Sequence, residues 1–288
     1  MSVTIGVVGS VNLDLVASGA PLPKAGETVT GARFAQHPGG KGANQALAAR
    51  RLGADVHMVG CVGDDALAEP ALILLRRDGV DVSNVMSELG TSTGVALIAV
   101  SPEGENQITV ASGANARVGP SDVAGLPKCD VLLSQLEVPV TAVEAAARAA
   151  AETGALMAIN LAPAIGVSPQ LLKDTDLLIV NEIEAAYYGD ALHDRGGLVA
   201  LTLGGEGAAL YKMGQEIARV PAFNVEVVDT TGAGDTFCGA IAVALAEGQP
   251  PKDALLFASA AAALAVTRPG AQPSLPTRAQ VDALLAEA

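Results

Sequence analysis

Short, nearly unbroken apolar runs alternate with helix-patterned stretches along most of this chain, and that alternation constrains the fold more than any other feature. TIGVVG (4–9), VHMVGCVG (56–63), VLLSQ (131–135), LMAIN (156–160), LLIVN (177–181) and LVALTLG (198–204) have the length and content of strands covered on both faces. Between them, ANQALAARRLG, ALAEPALILLRRDG, TAVEAAARAAAETG and PQLLKDTD read as helices that stop at Gly or Asp. Such a chain folds as an α/β three-layer sandwich, a mostly parallel sheet between helices. The 288 residues suit a single domain over 1–288, with no repeat or low-complexity linker to divide it.

Two segments break the pattern. Residues 14–36 and 91–112 are richer in Thr, Gly and Pro and carry period-two patches such as GVALIAV and NQITV. They read as antiparallel hairpins added to the main sheet, forming a small β lid. Three helices, 234–247, 252–266 and 277–287, are expected to close the chain. In an open α/β sheet, ligands bind beyond the carboxyl ends of the strands. GSVNLD, SQLE (134–137), NLAPA (160–164), NEIE (181–184) and TLGGEG (202–207) fall there and are candidates for one cleft.

Charge and composition remove several function classes. Acidic residues number 31 against 17 basic, a formal charge of -14, where a duplex-binding surface needs a basic face. Only 2% of residues are aromatic, which argues against stacking platforms for single strands, so no nucleic-acid partner is expected. Cys61, Cys129 and Cys238 are far apart and make no C-x-x-C pair, which suits a reduced, cytoplasmic compartment. The start reads as a strand, not a signal peptide, and the apolar run at 254–266 is too short to span a bilayer, so no membrane partner is expected.

Three stretches carry chemistry. In HPGGKGANQA (37–46), adjacent glycines let backbone approach a ligand, Lys41 and Asn44 can donate, and a helix begins at the same place; a plain glycine turn is an equal reading. In SVNLD, Asn12 and Asp14 occupy positions i and i+2 and face one way, apt for neighbouring sugar hydroxyls, or for an Asx turn. Glu137 is a similar acceptor, or a solvated strand-end charge. In DTTGAGDTF (229–237), Gly232, Ala233 and Gly234 can turn N–H groups toward one anion. Asp235 beside them can take a proton from an attacking hydroxyl, or merely complement the helix dipole. His37, His57 and His193 lack metal-ligand spacing and read as structural or surface residues, and Cys238 as a small buried one.

GGKGANQA together with DTTGAGDTF resembles the two signatures of the ribokinase-like (PfkB) carbohydrate kinases. GSVNLD, GDD, STGVALI, GENQI, GAN, QLE, NEIEA, TLG and AVTRPGAQPS follow in the family's order over nearly the whole chain. The resemblance implies ATP-dependent phosphorylation of a sugar, D-ribose first, on its primary 5-hydroxyl. It assigns Asn12, Asp14, Gly40, Lys41, Gly42, Asn44 and Glu137 to the sugar. Asp235 would be the base and Gly232, Ala233 and Gly234 the anion hole. Asn181, Thr202, Gly204, Gly205, Gly207, Gly234 and Ser259 would lie along ATP, with Glu184 acting on Mg²⁺ through water. Asp229, Thr231, Ala265, Arg268, Gly270 and Ser274 match a K⁺ site, several through backbone carbonyls. The lids of two subunits would pair into a homodimer. Other sugars, a nucleoside, or a non-catalytic sensing role are the alternatives. The chain departs from the family in a shortened connection at 186–200, in Leu161 where Pro is common, and in Ser259 beside the adenine.

Overall fold

The computed structural model describes residues 2–194 and 196–287. In chain order the strands begin with β1 (Thr4–Val8), β2 (Asn12–Ser18), β3 (Arg33–Gly39), β4 (Asp55–Gly63), β5 (Asp81–Glu88), β6 (Gly94–Val100) and β7 (Asn106–Ala111). They continue with β8 (Val131–Gln135), β9 (Leu156–Asn160), β10 (Leu177–Asn181), β11 (Leu198–Thr202), β12 (Ala208–Lys212) and β13 (Gln215–Val220). The first helices are α1 (Lys41–Arg51), α2 (Ala68–Asp78), α3 (Pro120–Val123), α4 (Val140–Thr153) and α5 (Pro169–Asp174). The rest are α6 (Glu182–Tyr188), α7 (Ala233–Ala246), α8 (Pro251–Ala265), α9 (Ala271–Ser274) and α10 (Arg278–Glu287).

A nine-stranded sheet runs β13-β12-β11-β10-β9-β8-β1-β4-β5, parallel from β11 to β5 and antiparallel at β12 and β13. Alternate strand residues serve opposite layers. Ile5, Val7, Val131, Leu133 and Leu177 pack with α1, α2, α7 and α8. Val8, Leu132, Met157, Ile159 and Leu178 pack with α4 and α5. Two covered faces explain why these strands read as continuous apolar runs.

The lid is a separate sheet, not hairpins added to the main one. Its order is β3-β2-β6-β7, with two antiparallel hairpin pairs joined by a parallel β2–β6 pairing. The expected alternation also passed over β5 and the β12–β13 edge. Those strands are partly exposed and their patterns are mixed, so they lack the buried-run signal. The three closing helices lie as expected. In the shortened connection, α6 leads through a 3-10 turn at Gly189–Leu192 directly toward β11. His57 lies between Asp81 (2.9 Å) and Asp55 (3.6 Å), a structural role.

Candidate active site

The chain leaves β1 and enters β2 at Asn12, which is buried together with Asp14. Asn115 holds this turn: it donates from Nδ2 to Asn12 Oδ1 (2.7 Å) and accepts from the Val11 amide at Oδ1 (2.8 Å). Glu137, just beyond β8, accepts at Oε2 from Ser10 Oγ (2.6 Å) and from the Lys41 amide (3.1 Å). Asn12, Asn115 and Glu137 line a cavity of about 490 Å³, with Val110 of the lid strand β7 on its border. Gly40 sits at φ 89°, and a Cβ there would stand 2.7 Å from the Asn12 amide nitrogen. Only glycine permits that backbone turn and approach. Gly42 likewise meets the Ser10 backbone, so the start of α1 packs directly on the β1–β2 turn.

Asp235 lies in the first turn of α7 and is buried. Its Oδ2 accepts from Asn44 Nδ2 (2.8 Å) and its Oδ1 from Gln45 Nε2 (3.0 Å). Gly232 precedes the helix in the left-handed region (φ 80°), and no side chain caps the helix start. Lys41, Asn181, Glu184, Gly232, Gly234 and Asp235 line a second cavity of about 140 Å³. An uncapped N-terminus facing a cavity suits phosphate oxygens. Of the three amides expected there, that of Ala233 closes a turn onto Thr230 O (3.3 Å). Gly232 and Gly234 line the cavity.

Asp14, Lys41, Glu137, Glu184 and Asp235 lie near enough to shift one another's charge. Burial, reinforced by Glu137 and Asp235, pushes the Asp14 carboxyl up to about 7. Asp235 raises the Lys41 ammonium most; burial opposes it, and Glu137 and Glu184 add to it. Lys41, expected at the sugar, donates from its amide to Glu137 and also lines the second cavity. Burial raises Glu184, opposed by hydrogen bonds from Asn181 and by Lys41. Asn181 and Glu184 form a reciprocal cap on α6, with Glu184 N donating to Asn181 Oδ1 (2.9 Å) and Asn181 N to Glu184 Oε2 (2.7 Å).

Thr202 and Gly234 border both this cavity and a third, of about 290 Å³. Gly204, Gly205, Gly207 and Ser259 line the third, among apolar neighbours such as Phe237 and Ala262. Ser259 Oγ donates to Leu255 O (2.8 Å) within its own helix, so its hydroxyl proton is already engaged. The second cavity, lined mainly by polar groups, thus adjoins the apolar third one at Thr202 and Gly234.

Several of the residues expected to hold K⁺ lie together in the loop before α7 and around Gly270. Asp229 Oδ1 accepts from Thr231 N (2.9 Å) and Oγ1 (2.6 Å), and Oδ2 accepts from Gly270 N (2.8 Å). Burial alone would raise Asp229, but those hydrogen bonds outweigh it and hold the carboxyl below its usual range. Ser274 Oγ donates to Ala271 O (2.8 Å). Ala265 ends α8, and Arg268 and Gly270 lie in the loop that follows it. The side-chain donors of Asp229, Thr231 and Ser274 are all oxygen, which fits a hard cation. Among the described residues, no group of three or more His, Cys, Asp or Glu could hold a metal ion. Mg²⁺ usually binds through one or two carboxylates together with phosphates and water, so the expected Mg²⁺ does not require such a group.

Sequence reasoning missed Ser10, Gln45, Asn115, Gln135 and Asn160 as parts of this site. Each stood in a quoted stretch, Ser10 in GSVNLD, Gln45 in GGKGANQA, Asn115 in GAN, Asn160 in NLAPA and Gln135 in SQLE, but no local pattern shows the partner of Gln135. Its partner Gln45 lies 90 positions away.

The chain is similar to known proteins over nearly its whole length. The model of the pfkB family carbohydrate kinases matches residues 4–278. A ribokinase of Schizosaccharomyces pombe is 41% identical, over 97% of this chain and 97% of its own. A deoxyribokinase of Salmonella typhimurium is 34% identical, over 98% of each. The structure of an Arabidopsis thaliana ribokinase complexed with ribose and ATP superposes with a TM-score of 0.89 at 32% identity, covering 99% of each chain. The match spans both sheets and all three cavities, and the chain belongs to the pfkB family of carbohydrate kinases.

Proposed function

We propose that this protein transfers the γ-phosphoryl group of ATP to the 5-hydroxyl of D-ribose, giving D-ribose 5-phosphate. The observation that carries the reading is the position of Asp235. Its carboxylate borders the phosphate-sized cavity, with acceptor-rich Asn12, Asp14 and Glu137 on one side and the apolar nucleotide pocket on the other. Phosphoryl transfer asks for in-line positioning and charge stabilisation more than covalent chemistry. Asn12, Asp14 and Glu137 hold the sugar hydroxyls, and Asp235 takes the proton of the attacking one. Gly232, Gly234 and Lys41 face the phosphoryl oxygens as they gather charge. Bound Mg²⁺ would neutralise phosphate charge, with Glu184 orienting its water shell. A monovalent cation held by Asp229, Thr231, Ser274 and the 265–270 backbone would brace the loop leading into α7.

Exposed apolar residues on the lid, Phe34, Leu97 and Ile108, support a homodimer formed through it. Use of ATP and three free cysteines support a cytoplasmic location.

The test is ADP release across D-ribose, 2-deoxyribose, fructose and nucleosides, each in K⁺ and in choline. D-Ribose should be the best acceptor, because a sugar lacking one hydroxyl leaves a buried acceptor or donor unpaired. K⁺ should raise the rate. Asp235→Asn should lower kcat by about 10²–10⁴-fold. Undiminished turnover by Asp235→Asn would refute the base assignment, and a faster rate on another acceptor the ribose assignment.

A further inference from the structure

A chain of buried amides ends on Asp235. Gln135, the last residue of β8, donates from Nε2 to Gln45 Oε1 at 2.6 Å. Gln45, in the first turns of α1, donates from Nε2 to Asp235 Oδ1 at 3.0 Å and to Asn160 Oδ1 at 3.3 Å. Asn160, the last residue of β9, donates from Nδ2 to Ile179 O at 3.2 Å. Gln45 and Gln135 are both 0% exposed, and neither lines the sugar or the phosphate cavity. Neither is therefore placed to touch a substrate.

Packing alone does not call for two glutamines here. A buried amide without its full set of partners costs stability. Gln135 Oε1 has no partner, so this pair carries that cost. An apolar side chain of similar size would fill either position without it. What the amides add is direction. A carboxylate only accepts, so Gln45 must show Asp235 its NH₂ end. Gln135 donates to the oxygen end of Gln45 and so reinforces the arrangement that Asp235 requires. A reversed Gln45 would set its oxygen against Asp235 and its NH₂ against that of Gln135. With Asn44 on Oδ2 and Gln45 on Oδ1, both oxygens of Asp235 are gripped from α1 and the carboxylate plane is fixed. Each oxygen retains a second lone pair, and Asp235 borders the cavity where the hydroxyl would arrive.

We infer that Gln45 is a positioning residue for phosphoryl transfer, set in its orientation by Gln135, and that this two-amide relay holds the Asp235 carboxylate in the plane required for proton abstraction. The inference rests on Asp235 being the base.

Four variants test it: Gln45→Met, Gln135→Met, the double variant and Asp235→Asn. For each, kcat and KM for ribose and ATP are measured, with ribose Kd by calorimetry and Tm. Because misplacing a reacting group by an ångström costs about 100-fold, Gln45→Met should lose roughly 30- to 100-fold in kcat while ribose Kd stays within about threefold. Gln135→Met should lose less, in the same parameter, and it removes neither donor to Asp235. Since Gln135 acts only through Gln45, the double variant should be no slower than Gln45→Met alone. If Gln45→Met does not fold, the kcat and Kd of Gln135→Met decide the matter. A Gln45→Met enzyme within about threefold of the parent kcat, beside an inactive Asp235→Asn, overturns the relay. So do losses that multiply in the double variant. Activity retained by Asp235→Asn overturns the base reading, and the relay with it.

Discussion

Burial drives the Asp14 carboxyl up to about 7, and the neighbouring Glu137 and Asp235 add like-charge repulsion. The ordinary value is 3.8, so between these two values the folded protein binds more protons than the unfolded chain. Stability from this group is therefore present at low pH, is lost as pH rises, and is fully lost above the folded value. The same buried charge is what a ribose hydroxyl would meet, so binding and stability make opposite demands on it. Asp14→Asn should raise the ligand-free Tm at about pH 8, with the gain vanishing below about pH 4. Ribose KM should rise about 10- to 100-fold, the value of a hydrogen bond to a charged group. Equal Tm values for the two proteins at the higher pH would refute this account. Asp14 and Asp235 were legible as candidates from their motifs. The state of Asp14 was not, because Glu137 and Asp235 reach it only through the fold.

At the scale of elements, the site depends on how closely α1 crosses α7. A Cβ on Gly239 of α7 would stand 2.8 Å from Gln45 O and 2.9 Å from Ala48 Cβ. The bare glycine lets the two backbones touch, and that contact sets Asn44 and Gln45 against Asp235. Gly239→Ala should destabilise the protein by about 1–3 kcal/mol, as overpacking does. It should also lower kcat with little change in ribose KM, since the sugar residues come from β2 and from the turn after β8. Urea melts and steady-state kinetics check both, and an unchanged kcat would separate the helix crossing from catalysis. The central strands were legible because burial on both faces leaves an unmistakable apolar run. The β12–β13 edge was not, because exposed positions there dilute the pattern.

For the molecule as a whole, the small sheet is where the proposed dimer would form. Phe34 is 67% exposed on β3, Leu97 51% on β6 and Ile108 55% on β7, in the sheet whose strand β2 carries Asn12 and Asp14. By the strand register Phe34 and Leu97 share one face, while Ile108 shares the other with Val110 and Asp14, and exposed apolar residues on a small sheet suit a contact surface. Ile108→Asp should yield a monomer in sedimentation while the parent is a dimer. The monomer should show a raised ribose KM, because β7 also supplies Val110 to the sugar cavity. A parent chain that sediments as a monomer would remove the dimer from the proposal.

By itself the sequence determined the α/β class, the strands buried on both faces, the three closing helices and the two motifs around Gly40 and Asp235. These are local properties: periodicity, glycine placement and the residue types a motif needs. Tertiary structure alone decided that the lid is a separate sheet with a parallel β2–β6 pairing. It also brought Lys41 to line the phosphate-sized cavity and tied Gln135 to Asp235 through Gln45. Those outcomes join residues scores of positions apart. Their partners become neighbours only when strands stack and helices cross, so no short stretch of sequence contains them.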